Sequence, residues 1–231
     1  MNFKKLRQMI KEQGTGNIIS KTINVNSFIR LHVSISGYVE LIQADEEKVI
    51  IETDDNLVDF IQTENSGRTL YVTGEGKWRI PGFTSLRIKV FYRQLFNLYN
   101  ASEKGELVCG NTWCAGEPVE IKIHSDRSTT SLDVDAVSVK LITACVGDVK
   151  LKGACIMLDI NAKSEGDLDA REMKAKNVAL KNYSQGNIDL YADDTITISN
   201  YGQGNIRYWG NAVLKDIKQY GDGEVRHQLV D

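Results

Sequence analysis

The chain has 231 residues, 42% of them hydrophobic, and a formal net charge of −3. This suits one large all-β domain or two small ones, and a near-neutral chain with no basic face argues against nucleic acid as a partner. Two prolines against 19 glycines fit a regular β architecture with many tight turns.

The first fourteen residues start basic, with Lys4, Lys5 and Arg7, but lack the apolar core of a signal peptide. Phe3, Leu6, Met9 and Ile10 fall on one helical face. Residues 1–13 therefore read as a short helix or tail that caps an open end of the domain, in preference to a membrane-surface anchor. No stretch approaches the ~18 apolar residues of a membrane span. The start is compatible with a cytoplasmic chain or with a removed leader.

Residues 14–231 read as a single domain, with irregular first strands and a hairpin over 14–95 and regular coils over 96–231. Val25 leads to Phe28, and Leu31 and Val33 alternate with polar residues. Tyr38 to Ile42 follows a Ser36-Gly37 turn, and Val49 to Ile51 precedes a turn at Thr53 to Asn56. Leu57 to Gln62 fits one helical turn or a strand. Asn65-Ser66-Gly67 signals a hairpin returning through Leu70 to Val72, and Leu86, Ile88 and Val90 alternate as a further strand. A loop with Trp78 and Pro81 lies between these last two.

From Leu95 onward the chain repeats. Glycines at 147, 166, 186, 204 and 223 recur at intervals of 19, 20, 18 and 19 residues. Each is followed by an acidic or amide residue and then an aliphatic one, as in Asp148-Val149 and Asn205-Ile206. Counting from each glycine, positions −8 and −6 are aliphatic (Val139/Leu141, Leu158/Ile160, Val178/Leu180, Ile196/Ile198), with Lys215/Ile217 a partial match. Position +2 is aliphatic in every unit, and +4 is Leu151, Ala170, Leu190, Tyr208 and His227. Two runs of period-2 alternation predict two strands per unit, each with one face inward. The length variation falls between +4 and −8, which places an outer loop there. Weaker units, around Gly105 and before Leu132, extend the series upstream.

One such unit cannot bury its apolar face alone, so a fixed period near 20 residues predicts stacked coils. Burying about four aliphatic side chains per coil contributes roughly 6–12 kcal/mol before the entropy of ordering is charged. The fold class is all-β: a parallel β-helix with coils of about 19 residues. The repeated glycines are expected to supply a corner with positive φ.

These features together resemble the putative auto-transporter adhesin, head GIN domain family. The resemblance rests on Gly14-Thr15-Gly16-Asn17 with Val25 to Phe28, and on Thr53-Asp54-Asp55-Asn56-Leu57 with the segment through Leu70. It rests most on Tyr183-Ser184-Gln185-Gly186-Asn187-Ile188 and Tyr201-Gly202-Gln203-Gly204-Asn205-Ile206. It spans about residues 14 to 228. It implies a right-handed parallel β-helix, an export-linked or cell-surface setting in Bacteroidetes, and no catalytic residues. The chain departs from the family in having no visible leader or lipobox cysteine and in losing glycine around 128–132.

Tyr183, Tyr201 and Tyr220 each stand three residues before a repeat glycine, and Asn182, Asn200 and Gln219 precede them. On a solenoid these align into columns. Tyr183, Tyr201, Tyr220, Asn182 and Asn200 form the candidate ligand-binding set, since rings stack on apolar sugar faces and amides bond hydroxyls. The simpler alternative is a tyrosine ladder that stabilises the stack. The column Asp148, Asp167, Asn187, Asn205, Glu224 reads as turn chemistry; the nine-residue register of calcium-binding β-rolls is missing. The acidic pairs Asp133/Asp135 and Asp193/Asp194 read as turn acids, without the recurring His, Asp or Arg neighbours of a polysaccharide-cleaving site. Cys109, Cys114, Cys145 and Cys155 lack metal-site spacing and read as buried thiols, with a disulfide left open. No catalytic residue, metal site or cofactor is expected.

The leading functional expectation is a non-enzymatic envelope or cell-surface adhesion module whose partner is a polysaccharide or another envelope component. One alternative is an intracellular scaffold that self-assembles through β-helix ends, as bactofilin-like proteins do, giving a homo-oligomer. The other is a polysaccharide lyase or hydrolase.

Overall fold

The structure is a computed structural model that describes residues 13–74 and 82–228. The expected N-terminal helix and the loop carrying Trp78 and Pro81 lie outside the described residues. Seven strands make the first part of the chain: β1 (Ile18–Asn24), β2 (Arg30–Ser34), β3 (Gly37–Gln43), β4 (Lys48–Asp54), β5 (Ile61–Ser66), β6 (Thr69–Gly74) and β7 (Leu86–Tyr92). Four short strands follow: β8 (Asn97–Asn100), β9 (Lys104–Cys109), β10 (Trp113–Ala115) and β11 (Val119–Ile123). Then come four long, bending strands, β12 (Arg127–Thr143), β13 (Val149–Ala162), β14 (Leu168–Asn182) and β15 (Ile188–Asn200). The last three are β16 (Ile206–Trp209), β17 (Val213–Gln219) and β18 (Val225–His227). Among the described residues the only helical piece is a 3₁₀ turn, Val58–Phe60, directly before β5. The ambiguous Leu57 to Gln62 segment is thus first turn, then strand.

The fold is a parallel β-solenoid of about seven turns. Successive coils pair in parallel and in register: Leu132 over Leu151, Leu141 over Ile160, Leu180 over Ile198, Ile188 over Ile206. The inward columns read from the repeat are buried at −8, −6 and +2, from Val139 through Ile206. Dehydrating these aliphatic columns stabilises the stack, and the parallel ladders satisfy the backbone. In the last coil a register shift puts Leu214, not Lys215, over Ile196.

Each coil carries three pairing columns, one more than the sequence implies. The extra column runs through β10, then 134–136, 153–155 and 173–175. Beyond Trp113 and Val134 at its start, its inward residues are small or flexible (Ala136, Cys155, Met173, Ala175), so it leaves little hydrophobic signal. It also absorbs the length variation. The β14–β15 register breaks between Ala170 and Ala175, inside the interval where the repeat lengths differ.

The repeat glycines have a different cause from the expected one. None of them has positive φ. A methyl group built on Gly204 would fall on the carbonyl oxygen of Gly186, and one built on Gly186 would fall on that of Gly166. Successive coils approach here too closely for any side chain. The positive-φ corner exists elsewhere, at Gly153 (φ 115°), which opens the third column.

Residues 13–95 close the start of the stack differently. β2 and β3 form the first coil, pairing in parallel with β8 and β9. Outside them β4 runs antiparallel to both β1 and β7, and β5 antiparallel to β6.

Candidate binding surfaces

Tyr183, Tyr201 and Tyr220 form an exposed row at the corner after the −8/−6 column. Their rings stack face to face, with centroids 4.9 and 4.8 Å apart and planes within 6° and 9°. That spacing is the inter-strand distance of a β-sheet, so the row is a direct consequence of in-register coils. Lys163 Nζ sits 5.7 Å from the Tyr183 centroid and covers part of its other face. Tyr220, 68% exposed, is the most open of the three. The row therefore offers ring edges and hydroxyls along its length, and a ring face at Tyr220, in place of the expected flat platform.

Asn182 and Asn200 do not flank the tyrosines on the surface. Both are completely buried. Neighbours in a strand point to opposite faces, so the residue before an outward tyrosine points inward. Asn182 Nδ2 donates to Asn200 Oδ1 at 2.9 Å, and Asn200 Nδ2 donates to the Gly223 carbonyl at 2.8 Å. Their carbonyls accept from the backbone N–H groups of Ser184 and Gly202. These amides are internal braces, with every bond spent on the protein, and they leave the candidate ligand set.

The acidic and amide column is also spent. Asp148 accepts from the Asp167 N–H (2.9 Å), Asp167 from Asn187 (2.7 Å), Asn187 from Asn205 (3.1 Å) and Asn205 from Glu224 (3.0 Å). Each side chain satisfies the donor one coil above. Of the acidic pairs, Asp133 meets Lys152 at 3.2 Å and Asp193 accepts from Asn211 at 3.1 Å. The four cysteines are free thiols: Cys145 and Cys155 buried, Cys109 half-buried and Cys114 exposed, which corrects the reading of all four as buried. Burial pushes the Cys155 thiol up to about 12 and the Cys109 thiol up to about 11, which makes both poor nucleophiles at neutral pH.

Three surface features have no counterpart in the sequence reading. On the outer face of the −8/−6 column His32 packs against Tyr71 and Tyr99, and Tyr99 against His124, at centroid distances of 4.6 to 5.4 Å. These rings are tilted or edge-on, so their faces are less covered than those of the tyrosine row. On the first column Arg207 makes two 2.7 Å bonds to Asp189, while Arg171 and Arg207 lie 5.7 and 5.9 Å from the Trp209 ring. Arg171 also holds the Asp169 carboxyl below the usual range by a charge-assisted hydrogen bond. Third is a polar cleft among the segment before β2, the end of β3, the β5–β6 turn and the segment after β7. Its residues come from four separate stretches of chain, which no local pattern links.

The molecule is thus a stacked-coil scaffold whose adjacent coils are joined by inter-coil side-chain bonds such as the Asp148-to-Asn205 column and the Arg207–Asp189 pair, with aromatic rows on its outer wall. The family described as "Putative auto-transporter adhesin, head GIN domain" matches residues 27–212, and the chain belongs to that family. Among solved structures it is similar to a putative adhesin from Bacteroides fragilis NCTC 9343, with a TM-score of 0.87 at 20% identity, covering 94% of this chain and 100% of that one. A putative adhesin from Parabacteroides merdae ATCC 43184 aligns with a TM-score of 0.72 at 17% identity, over 94% and 98% of the two chains. A putative lipid binding protein from Parabacteroides distasonis ATCC 8503 gives 0.68 at 18% identity, over 94% and 99%. At these identities the likeness establishes the fold. No curated protein matches. No helix among the described residues is long and apolar enough to cross a membrane.

Proposed function

We propose that this protein is a non-enzymatic adhesion module of the cell surface that binds carbohydrate through its outer wall. The observation that carries the reading is the row Tyr183, Tyr201, Tyr220, held at a fixed 4.8 to 4.9 Å repeat and left exposed. A row of phenol edges presents donors and acceptors at regular intervals, which suits a polymer of hydroxyl-bearing units. The family description, an adhesin head, agrees with surface display. The test is a glycan array probed with the wild-type protein and with Tyr201→Ala and Tyr220→Ala variants. The reading expects wild-type binding that both variants weaken. Binding by all three proteins alike would remove the tyrosine row from the account.

A second reading, self-assembly through coil ends, has its own observation. In the last coil Val213, Leu214 and Ile217 are exposed, and Leu214 and Ile217 occupy columns that are buried one coil earlier. The opposite end is closed by antiparallel β1, β4 and β5, so head-to-tail stacking meets no matching parallel edge. Light scattering across a concentration series tests it; a mass that grows without limit would favour a filament over the adhesion module.

A further inference from the structure

We infer that the cleft among the segment before β2, the end of β3, the β5–β6 turn and the segment after β7 is a second binding site, built for a carboxylate-bearing sugar such as a uronic acid unit. The cleft has a volume of about 680 Å³, within the ordinary range of ligand sites. Its charged and amide lining is Gln43, Asp45, Glu47, Arg68, Arg93 and Gln94. What matters is which of these groups the fold has already used. Glu47 accepts from the Ser27 hydroxyl (3.2 Å) and the Phe28 N–H (3.4 Å). The Gln43 side chain is fully spent, donating to the Arg93 and Cys114 carbonyls and accepting from the Cys114 N–H. A shallower trough continues past Glu47 and Arg93, and there Glu46 is paired with Lys48 at 2.7 Å.

Two guanidiniums remain. Arg93 commits only Nε, to the Asp45 carbonyl at 2.6 Å, and its terminal nitrogens make no ion pair among the described residues. Arg68 uses its backbone carbonyl to hold Ile29 and Arg30, but its guanidinium makes no ion pair among the described residues either. The Gln94 amide, the Asp45 carboxylate and the second oxygen of Glu47 complete the unspent set. Two planar N–H forks match a carboxylate, and an amide plus acid oxygens match neighbouring hydroxyls. The Asp45 and Glu47 charges balance the two guanidiniums and disfavour a dense polyanion, and the mainly polar lining disfavours an acyl chain. The cleft lies at the start of the stack, several coils from the tyrosine row.

This site shares with the proposed function only the choice of a glycan as ligand. The test is calorimetric titration with uronic acid oligomers (galacturonate, glucuronate-containing and mannuronate–guluronate), their methyl-esterified forms, and a glutamate hexapeptide. The expected result is binding of at least one free-acid oligomer, at least tenfold weaker for its ester, and weakened by added salt. Arg68→Ala, which removes a guanidinium with no ion pair among the described residues, should lower that affinity at least tenfold, and Arg68→Lys should restore part of it. In a Tyr201→Ala background the loss caused by Arg68→Ala should persist, so failure of the tyrosine row and failure of the cleft are read separately. Absence of binding to every free-acid oligomer, retention of full affinity by an Arg68→Ala/Arg93→Ala variant with a native circular dichroism spectrum, or equal affinity for the glutamate peptide would each overturn the inference.

Discussion

In residues 13–95 strands run both ways, with β4 antiparallel to β1 and β7, whereas in residues 96–228 each coil pairs in parallel with the coil before it. Glycine shows the difference best. Gly67, in the β5–β6 hairpin, has φ 57° and open space where a Cβ would go, so it is there for its backbone conformation. Gly186 and Gly204 have ordinary φ and no space at all. In one region a residue answers to its own turn; in the other it answers to the coil stacked on it. Polar side chains divide the same way. Asp54 gathers the Gly16 N–H and the Thr84 N–H and hydroxyl to tie one irregular junction, while Asn182 and Asn200 repeat one bracing pattern coil after coil.

The largest effect should come from Gly204→Val. It forces a side chain into the Gly186 backbone, and a loss of about 3 kcal/mol or more, or failure to fold, is expected from thermal melts. Gly67→Ala should cost only about 1 kcal/mol, and Gly67→Asn less, because asparagine tolerates that conformation. If Gly204→Asn were tolerated equally well, the two glycines would not differ in kind. Next, Asn200→Leu strips the Asn182 amide and the Gly202 N–H of buried partners, and a cost of about 2–4 kcal/mol is expected in urea unfolding. Melts of Tyr201→Ala should fall by the equivalent of only about 1 kcal/mol, since it removes two exposed stacking contacts.

A pH experiment sharpens the contrast from the other side. Hydrogen bonds, first the Thr84 hydroxyl and then the Gly16 and Thr84 N–H groups, hold the Asp54 carboxyl below its ordinary value. A group depressed in the folded state contributes stability that is present above its unfolded value of ~3.9 and lost as pH falls through the folded value. Hydrogen exchange should therefore show the junction around residues 14–17 and 84 loosening below about pH 4. Asp54→Asn should remove the part felt at residues 16 and 84, whereas Asp55, held low by the Thr15 hydroxyl and the Asn17 amide, keeps the part felt at residues 15 and 17; residues 168–200 should not respond to the substitution.

Much of the solenoid was legible because its cause is periodic. The glycine spacing, the −8, −6 and +2 columns and the site of length variation all follow from residues repeating their neighbours' environment. The same parity places Asn182 and Asn200 inside: position −4 lies on the face of −6 and −8, so their sequence adjacency to tyrosine misled. The glycine spacing was visible but its reason was not, since a close approach between coils and a positive φ leave the same residue. The third column was hidden because small residues and a variable bulge carry no period. The cleft was illegible because Gln43, Arg68, Arg93 and Gln94 are far apart in sequence and meet only where β3 pairs with β7 and the β5–β6 turn bonds the segment before β2.

Disulfide trapping between coils reaches the central claim, that like positions lie directly above one another. Lys181 is in register with Ser199, and Ser199 with Lys218. Adjacent strands about 4.8 Å apart lie within disulfide reach, and strands two coils apart, at about 9.6 Å, do not. In a background lacking the exposed Cys114, the pairs Lys181→Cys/Ser199→Cys and Ser199→Cys/Lys218→Cys should close intramolecular disulfides under mild oxidation, and Lys181→Cys/Lys218→Cys should not. Ready closure of the third pair, or failure of the first two in folded protein, would contradict the stacked register on which the tyrosine row depends.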